Sequence, residues 1–239
     1  MTRVACNVAA PIGTFARTRM EGSNEIVQIE SRWQVILAVI AVFILLIILP
    51  SRVREFSVWV TCALVSALIL PMVALSLSTH KRRWLQIEGM ATLVFILIAG
   101  FALVDNLQFL LFQMVRGQVK LTGLTLLTSS IAVWAMNVLI FSLAYWRIDR
   151  GGPEARANQD DTLPDWLFPQ EEVPELVPDK WHPSFVDYLF LSFCTATAFS
   201  PTDALPLTSR AKALMMLEGI VSLVTIITVL ARAINTLGT

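Results

Sequence analysis

The sequence predicts an all-α integral membrane bundle of about five transmembrane helices, with a short re-entrant pore-like helix ahead of the last one. Three observations lead there. Of 239 residues, 56% are hydrophobic and 15% charged, with a mean hydropathy of +0.68, which leaves too few charges to coat a soluble surface. The charges gather between long apolar runs instead of alternating with them. The runs themselves have about the length a helix needs to cross roughly 30 Å of hydrocarbon.

Residues 1–32 form a polar N-terminal tail, with Arg3, Arg17, Arg19 and Arg32 against Glu21, Glu25 and Glu30, and with Pro11, Gly13 and Gly22 interrupting any helix. Residues 33–117 hold three spans. The first lies near 33–50, where Trp33 and Pro50 bracket an uncharged run. Ser51-Arg52-Val53-Arg54 follows it in place of a small-residue cleavage site, so the run reads as a retained span. The second lies near 57–77, contains Pro71, and stops at Ser78-Thr79-His80-Lys81-Arg82-Arg83. The third lies near 87–115. Asp105 and Asn106 interrupt it, but its about 43 Å of helix is too little for two spans and a turn. It reads as one long helix whose second half lies at the interface.

Residues 118–239 form a two-span module. Its first span, near 120–147, closes on an aromatic belt of Tyr145 and Trp146. Asn137, near the middle, either faces another helix through a hydrogen bond or lines a pathway. Residues 148–182 open on Gly151-Gly152-Pro153 and are rich in proline and carboxylates. They read as a loop outside the hydrocarbon, either a solvated linker or a vestibule that gathers cations. In the segment 183–206, Pro183 starts an apolar helix near 184–198 that is too short to span. The last span, near 211–236, carries Glu218 and Arg232 about 21 Å apart along one helix, as interfacial anchors near its ends.

Several function classes fall away. Lys+Arg and Asp+Glu balance at 18 each, which gives no footprint for nucleic acid. Cys6, Cys62 and Cys194 are scattered, and His80 and His182 each stand alone. No metal or other cofactor is therefore expected. An enzyme is not expected either, because Ser192, Ser200 and Ser209 have no histidine base in sequence reach.

The run Asp187-Tyr188-Leu189-Phe190-Leu191-Ser192-Phe193-Cys194-Thr195-Ala196-Thr197 resembles the pore helix of potassium-type channels, in which an aromatic-rich stretch runs into Thr-x-Thr before the filter. Asp203, Pro206, Ser209-Arg210-Ala211-Lys212 and Leu217-Glu218-Gly219 stand where that family has its post-filter residues and inner helix. The family's filter is Thr-Val-Gly-Tyr-Gly; here the positions are Ala198, Phe199, Ser200, Pro201 and Thr202. With no glycine in the loop and the φ of Pro201 fixed, the same ladder of backbone carbonyls is not expected, and neither is potassium selectivity. Trp146-Arg147-Ile148-Asp149-Arg150-Gly151-Gly152-Pro153 together with Ser200-Pro201-Thr202-Asp203 also resembles a set of uncharacterised bacterial membrane proteins sometimes labelled channel-like. The resemblance implies a multi-pass protein of the inner cell membrane, in contact with lipid. It also implies a homo-oligomer, a tetramer if a channel, that passes monovalent cations. Thr195 and Thr197 would end the pore helix, residues 198–202 would line the constriction, and Asp203 would sit at its mouth. A module that keeps this shape only for packing or partner binding is the alternative.

Two rules disagree about orientation. The pore analogy with five spans puts Lys81-Arg82-Arg83 outside. The positive-inside rule puts the tail, the 78–86 loop and the 147–212 region inside, with 13 Lys/Arg against 5 on the other side.

Overall fold

The computed structural model describes residues 33–48, 66, 81–116, 123–157, 162–177, 181–197 and 204–237. Almost all of this is helix. The main helices are α1 (Trp33–Ile48), α2 (Lys81–Arg116), α3 (Gly123–Ile148), α6 (Phe185–Thr197) and α7 (Ser209–Leu237). Between α3 and α6 lie two short helices, α4 (Pro153–Ala157) and α5 (Pro169–Glu172), and a two-residue strand β1 (Trp166–Leu167). β1 pairs antiparallel with β2 (Leu205–Pro206), Trp166 opposite Pro206 and Leu167 opposite Leu205. The expected span near 57–77 lies outside the described residues except for Ser66.

Three described helices are long and apolar enough to cross a membrane, at Ile87–Phe112, Leu127–Gly151 and Ser209–Leu230. The two shorter apolar helices are Trp33–Ile48 and Phe185–Thr197. α3 is the central element, packed by α1, α2, α6 and α7. Helix periodicity explains the core. Val35, Val39 and Val42 make one stripe on α1, Phe95, Ala99 and Leu103 one on α2, and Val133, Met136 and Ile140 one on α3.

α7 is patterned the other way round. Most of its buried residues are small or polar, namely Ala211, Glu218, Ser222, Thr225 and Thr228, with Val221 the exception. Its exposed ones are Met216, Leu217, Ile220, Leu223, Ile227 and Leu230. In water this arrangement would waste the hydrophobic effect. In lipid it is favourable, because tails are as apolar as leucine and helices associate through close packing and hydrogen bonds.

The third predicted span is one continuous helix, as its length requires. Its second half packs on the bundle, with Leu103, Leu107 and Leu110 in the core. Asn106 follows Asp105 within the helix and returns its amide to the Ala102 carbonyl at 2.7 Å, which satisfies that donor without breaking the backbone ladder.

α2 and α3 run antiparallel, since Arg147, near the end of α3, donates to the Gly89 carbonyl near the start of α2 at 3.2 Å. The start of α2, the segment after α3 and the start of α7 therefore share one end of the bundle. This is the grouping on which the count of basic residues depends. In a cysteine-free background, single cysteines at Lys81, the first residue of α2, and at Leu163, which is 85% exposed, are expected to react with an impermeant thiol reagent from the same side of the membrane. Labelling from opposite sides would contradict the antiparallel pair.

Candidate pore-loop site

The segment after α3 is a folded cap, not a solvated linker. Arg150, Gly151 and Gly152 take φ values of 54°, 75° and 89° in succession, which turns the chain back on α3. Gly152 is there for two reasons: its φ disfavours a side chain, and a Cβ would lie 2.0 Å from Nη1 of Arg147 and 2.5 Å from its carbonyl oxygen. Gly89 leaves room for the other side of the same guanidinium, as a Cβ there would come within 2.6 Å of Nη2. Pro153 then opens α4 at a position where its missing N–H costs nothing.

Asp149 lies at the centre of the cap, fully buried. Its Oδ1 accepts from the backbone N–H of Asp165 at 2.8 Å and of Trp166 at 3.4 Å. Its Oδ2 accepts from the Tyr188 hydroxyl at 2.6 Å, and Arg150 Nε is 3.6 Å away. One carboxylate thus ties α3 to β1 and to the first turn of α6. Arg156 donates to the carbonyls of Trp146 and Asp149 and lies over the rings of Trp146 and Tyr188. Arg150 pairs with Glu171.

Asp165, also fully buried, makes a second clamp. It accepts a two-pronged bond from Arg210 at 2.6 Å and 2.6 Å, and a bond from the Thr208 hydroxyl at 2.5 Å. Thr208 in turn caps α7 by accepting the Ala211 N–H. The carboxylates expected to form an acidic vestibule therefore include two that are committed to internal bonds. Glu172 and Glu175 are exposed.

α6 begins with a local capping arrangement. Asp187 Oδ2 accepts from both the N–H and the hydroxyl of Ser184, each at 2.7 Å. The helix then descends between α3 and α7. Tyr188 meets Asp149 at the end of α3, Ser192 donates to the Val138 carbonyl at 2.7 Å, and Phe193 packs edge-on against Trp134 at 5.9 Å. At its far end the Ala196 carbonyl accepts from Ser222 of α7, and Ser222 accepts from Trp134 Nε1 at 3.1 Å. By Leu205 the chain is back beside β1.

Of the residues singled out from sequence, Thr195 and Thr197 lie in the last described turn of this helix. Their hydroxyls bond back to the carbonyls of Leu191 and Phe193, both at 2.8 Å. Ala198, Phe199, Ser200, Pro201, Thr202 and Asp203 lie outside the described residues, as does the side chain of Arg232. Gly219 sits half-exposed on α7, where a Cβ would meet no atom within 4 Å.

Asn137 faces α7 and donates to the Glu218 carbonyl at 3.4 Å. Glu218 itself is a correction. It is no interfacial anchor but fully buried, and it accepts from Tyr145 of α3 and is bonded to Ser192 of α6. Spacing along one helix could not reveal this, because both partners come from other helices. Comparison with protein-family models, curated proteins and solved structures finds no match for the chain.

The cap makes a clear prediction. Asp149→Ala leaves the Tyr188 hydroxyl and two backbone N–H groups without their acceptor. Buried donors lost from a charged partner cost about 1.5–3 kcal/mol each. The variant is expected to lose at least about 3 kcal/mol of stability, and Asp149→Asn, which keeps one acceptor oxygen, clearly less. Thermal unfolding in detergent monitored by tryptophan fluorescence checks this ranking, and equal losses would contradict it.

Proposed function

We propose that residues 118–239 form a pore-loop module of a multi-pass inner-membrane protein. Four copies would surround one axis and pass monovalent cations with little discrimination between potassium and sodium. The observation that carries this reading is the course of α6. It enters beside the end of α3, reaches the level of Trp134 and Ser222, and the chain returns to β1 at the end where it entered. At 13 residues it is about 20 Å long, short of the hydrocarbon thickness, which is how a re-entrant helix differs from a span. Two further spans in the N-terminal half, α1 and the run near 57–77, complete the five.

On this reading, residues 198–202 line the constriction and Asp203 stands at its mouth. The lack of glycine and the presence of Pro201 support weak selectivity, because an ion would be held through hydroxyls or with its water retained. A second reading, a non-conducting module used for packing, is favoured by one contact. Ser222 occupies the Ala196 carbonyl, so α7 meets the end of α6 that a pore would otherwise use.

Flux from reconstituted liposomes under potassium and sodium gradients separates the two. Conduction is expected to be similar for both ions, and Asp203→Asn to lower it more at low salt than at high salt, where screening is stronger. With the native cysteines replaced, Ser200→Cys is expected to trap loop-to-loop dimers. Strong potassium preference would overturn the reading of the loop. Absence of flux with a monomeric protein would leave the non-conducting module.

A further inference from the structure

Around Ser192 the hydrogen-bond acceptors outnumber the hydroxyl protons. Ser192 has one hydroxyl proton. Its oxygen lies 2.7 Å from the Val138 carbonyl, which can only accept, and in short contact with Oε1 of Glu218. If Glu218 were a carboxylate, Ser192 could serve one of these oxygens only, and the other contact would set two lone pairs against each other. If Oε1 carries a proton, every contact is a bond. Tyr145 donates to Oε2, the Glu218 carboxyl donates to Ser192, and Ser192 donates to Val138.

Burial points the same way. Glu218, Tyr145 and Ser192 are all fully buried. A buried carboxylate without a cation in contact costs several kcal/mol, which a proton removes. Among the described side chains, the helices packed on α7 carry Glu88, Asp105, Tyr145, Arg147, Asp187, Tyr188 and Cys194. Among these described groups, Tyr145 is the one that hydrogen-bonds Glu218. On α7 itself Arg210 is engaged by Asp165, and Lys212 is exposed.

We propose that Glu218 is a buried proton-binding site, and that its neutral carboxylic acid forms a relay joining α3, α6 and α7. The ligand is a proton. When it leaves to hydroxide in solution, the one proton of Ser192 must turn from the Val138 carbonyl to the new carboxylate, and the bond that holds α6 to the backbone of α3 is lost. The site thus couples pH to the seat of the short helix. It rests on the packing of three helices and not on the conducting reading, so a protein that passes no ions leaves it intact.

Infrared spectroscopy of the full chain in lipid tests it directly. At neutral pH the wild type is expected to show the carbonyl stretch of a protonated carboxylic acid, and Glu218→Gln to lack it. Glutamine places a carbonyl acceptor and an N–H donor where the acid has its own, with one further N–H, so this variant is expected to stay close to the wild-type melting temperature at neutral pH. Should Glu218→Gln not accumulate, Ser192→Ala carries the test, since losing the acceptor shifts the acid band to higher frequency. No acid band attributable to Glu218, or a band unmoved by Ser192→Ala, overturns the proposal. So does a large drop in melting temperature for Glu218→Gln.

Discussion

A carboxylate taken out of water has to be met by donors on every side, and the position of Asp149 imposes that demand on its surroundings. The donors come from three directions: the backbone of β1, the hydroxyl of Tyr188 and the neighbouring Arg150. Meeting the demand brings Trp166 onto Tyr145, with ring centroids 4.8 Å apart, and fixes where α6 begins. It also brings Asp165 within reach of Arg210 and Thr208, which fixes where α7 begins. The entry points of α6 and α7 are thus set by polar chemistry at one end of the bundle.

Below that end the bonding changes character. α6 and α7 are held to α3 by single hydroxyls, an amide and an indole: Ser192, Ser222, Asn137 and Trp134. Each is weak in isolation, but in hydrocarbon no water competes for the partner. Stability is graded along the bundle, with ionic clamps at the cap and neutral bonds deeper in.

Much of the helical framework is legible in the sequence, for physical reasons that act locally. Apolar runs of spanning length, the Ser184–Asp187 cap and the short run that follows it depend on residues within a few positions of one another. The unity of α2 follows from length alone, despite Asp105. What is not legible depends on partners distant in sequence. Asp149 and Asp165 look like members of an acidic loop until Tyr188 and Arg210 are placed beside them. Glu218 looks like an anchor until Tyr145 and Ser192 arrive from two other helices. The Arg-Gly-Gly-Pro turn is the one cap feature whose residue types announce it, and even there the role of Gly152 requires seeing Arg147. The short apolar run after Pro183 is also legible, and it is helical from Phe185 to Thr197.

The guanidinium of Arg147 is flanked by two residues that have nothing but hydrogen to offer, Gly89 on α2 and Gly152 in the turn. Neither can gain a carbon while the arginine stays in place. Drift at Gly89 and Arg147 is therefore coupled across some sixty residues of chain. A lineage that shortened Arg147 would release Gly89, while Gly152 would stay held by its φ and by the backbone carbonyl of residue 147. Co-variation of positions 89 and 147 in related sequences would report the antiparallel seating of α2 on α3 without any coordinates.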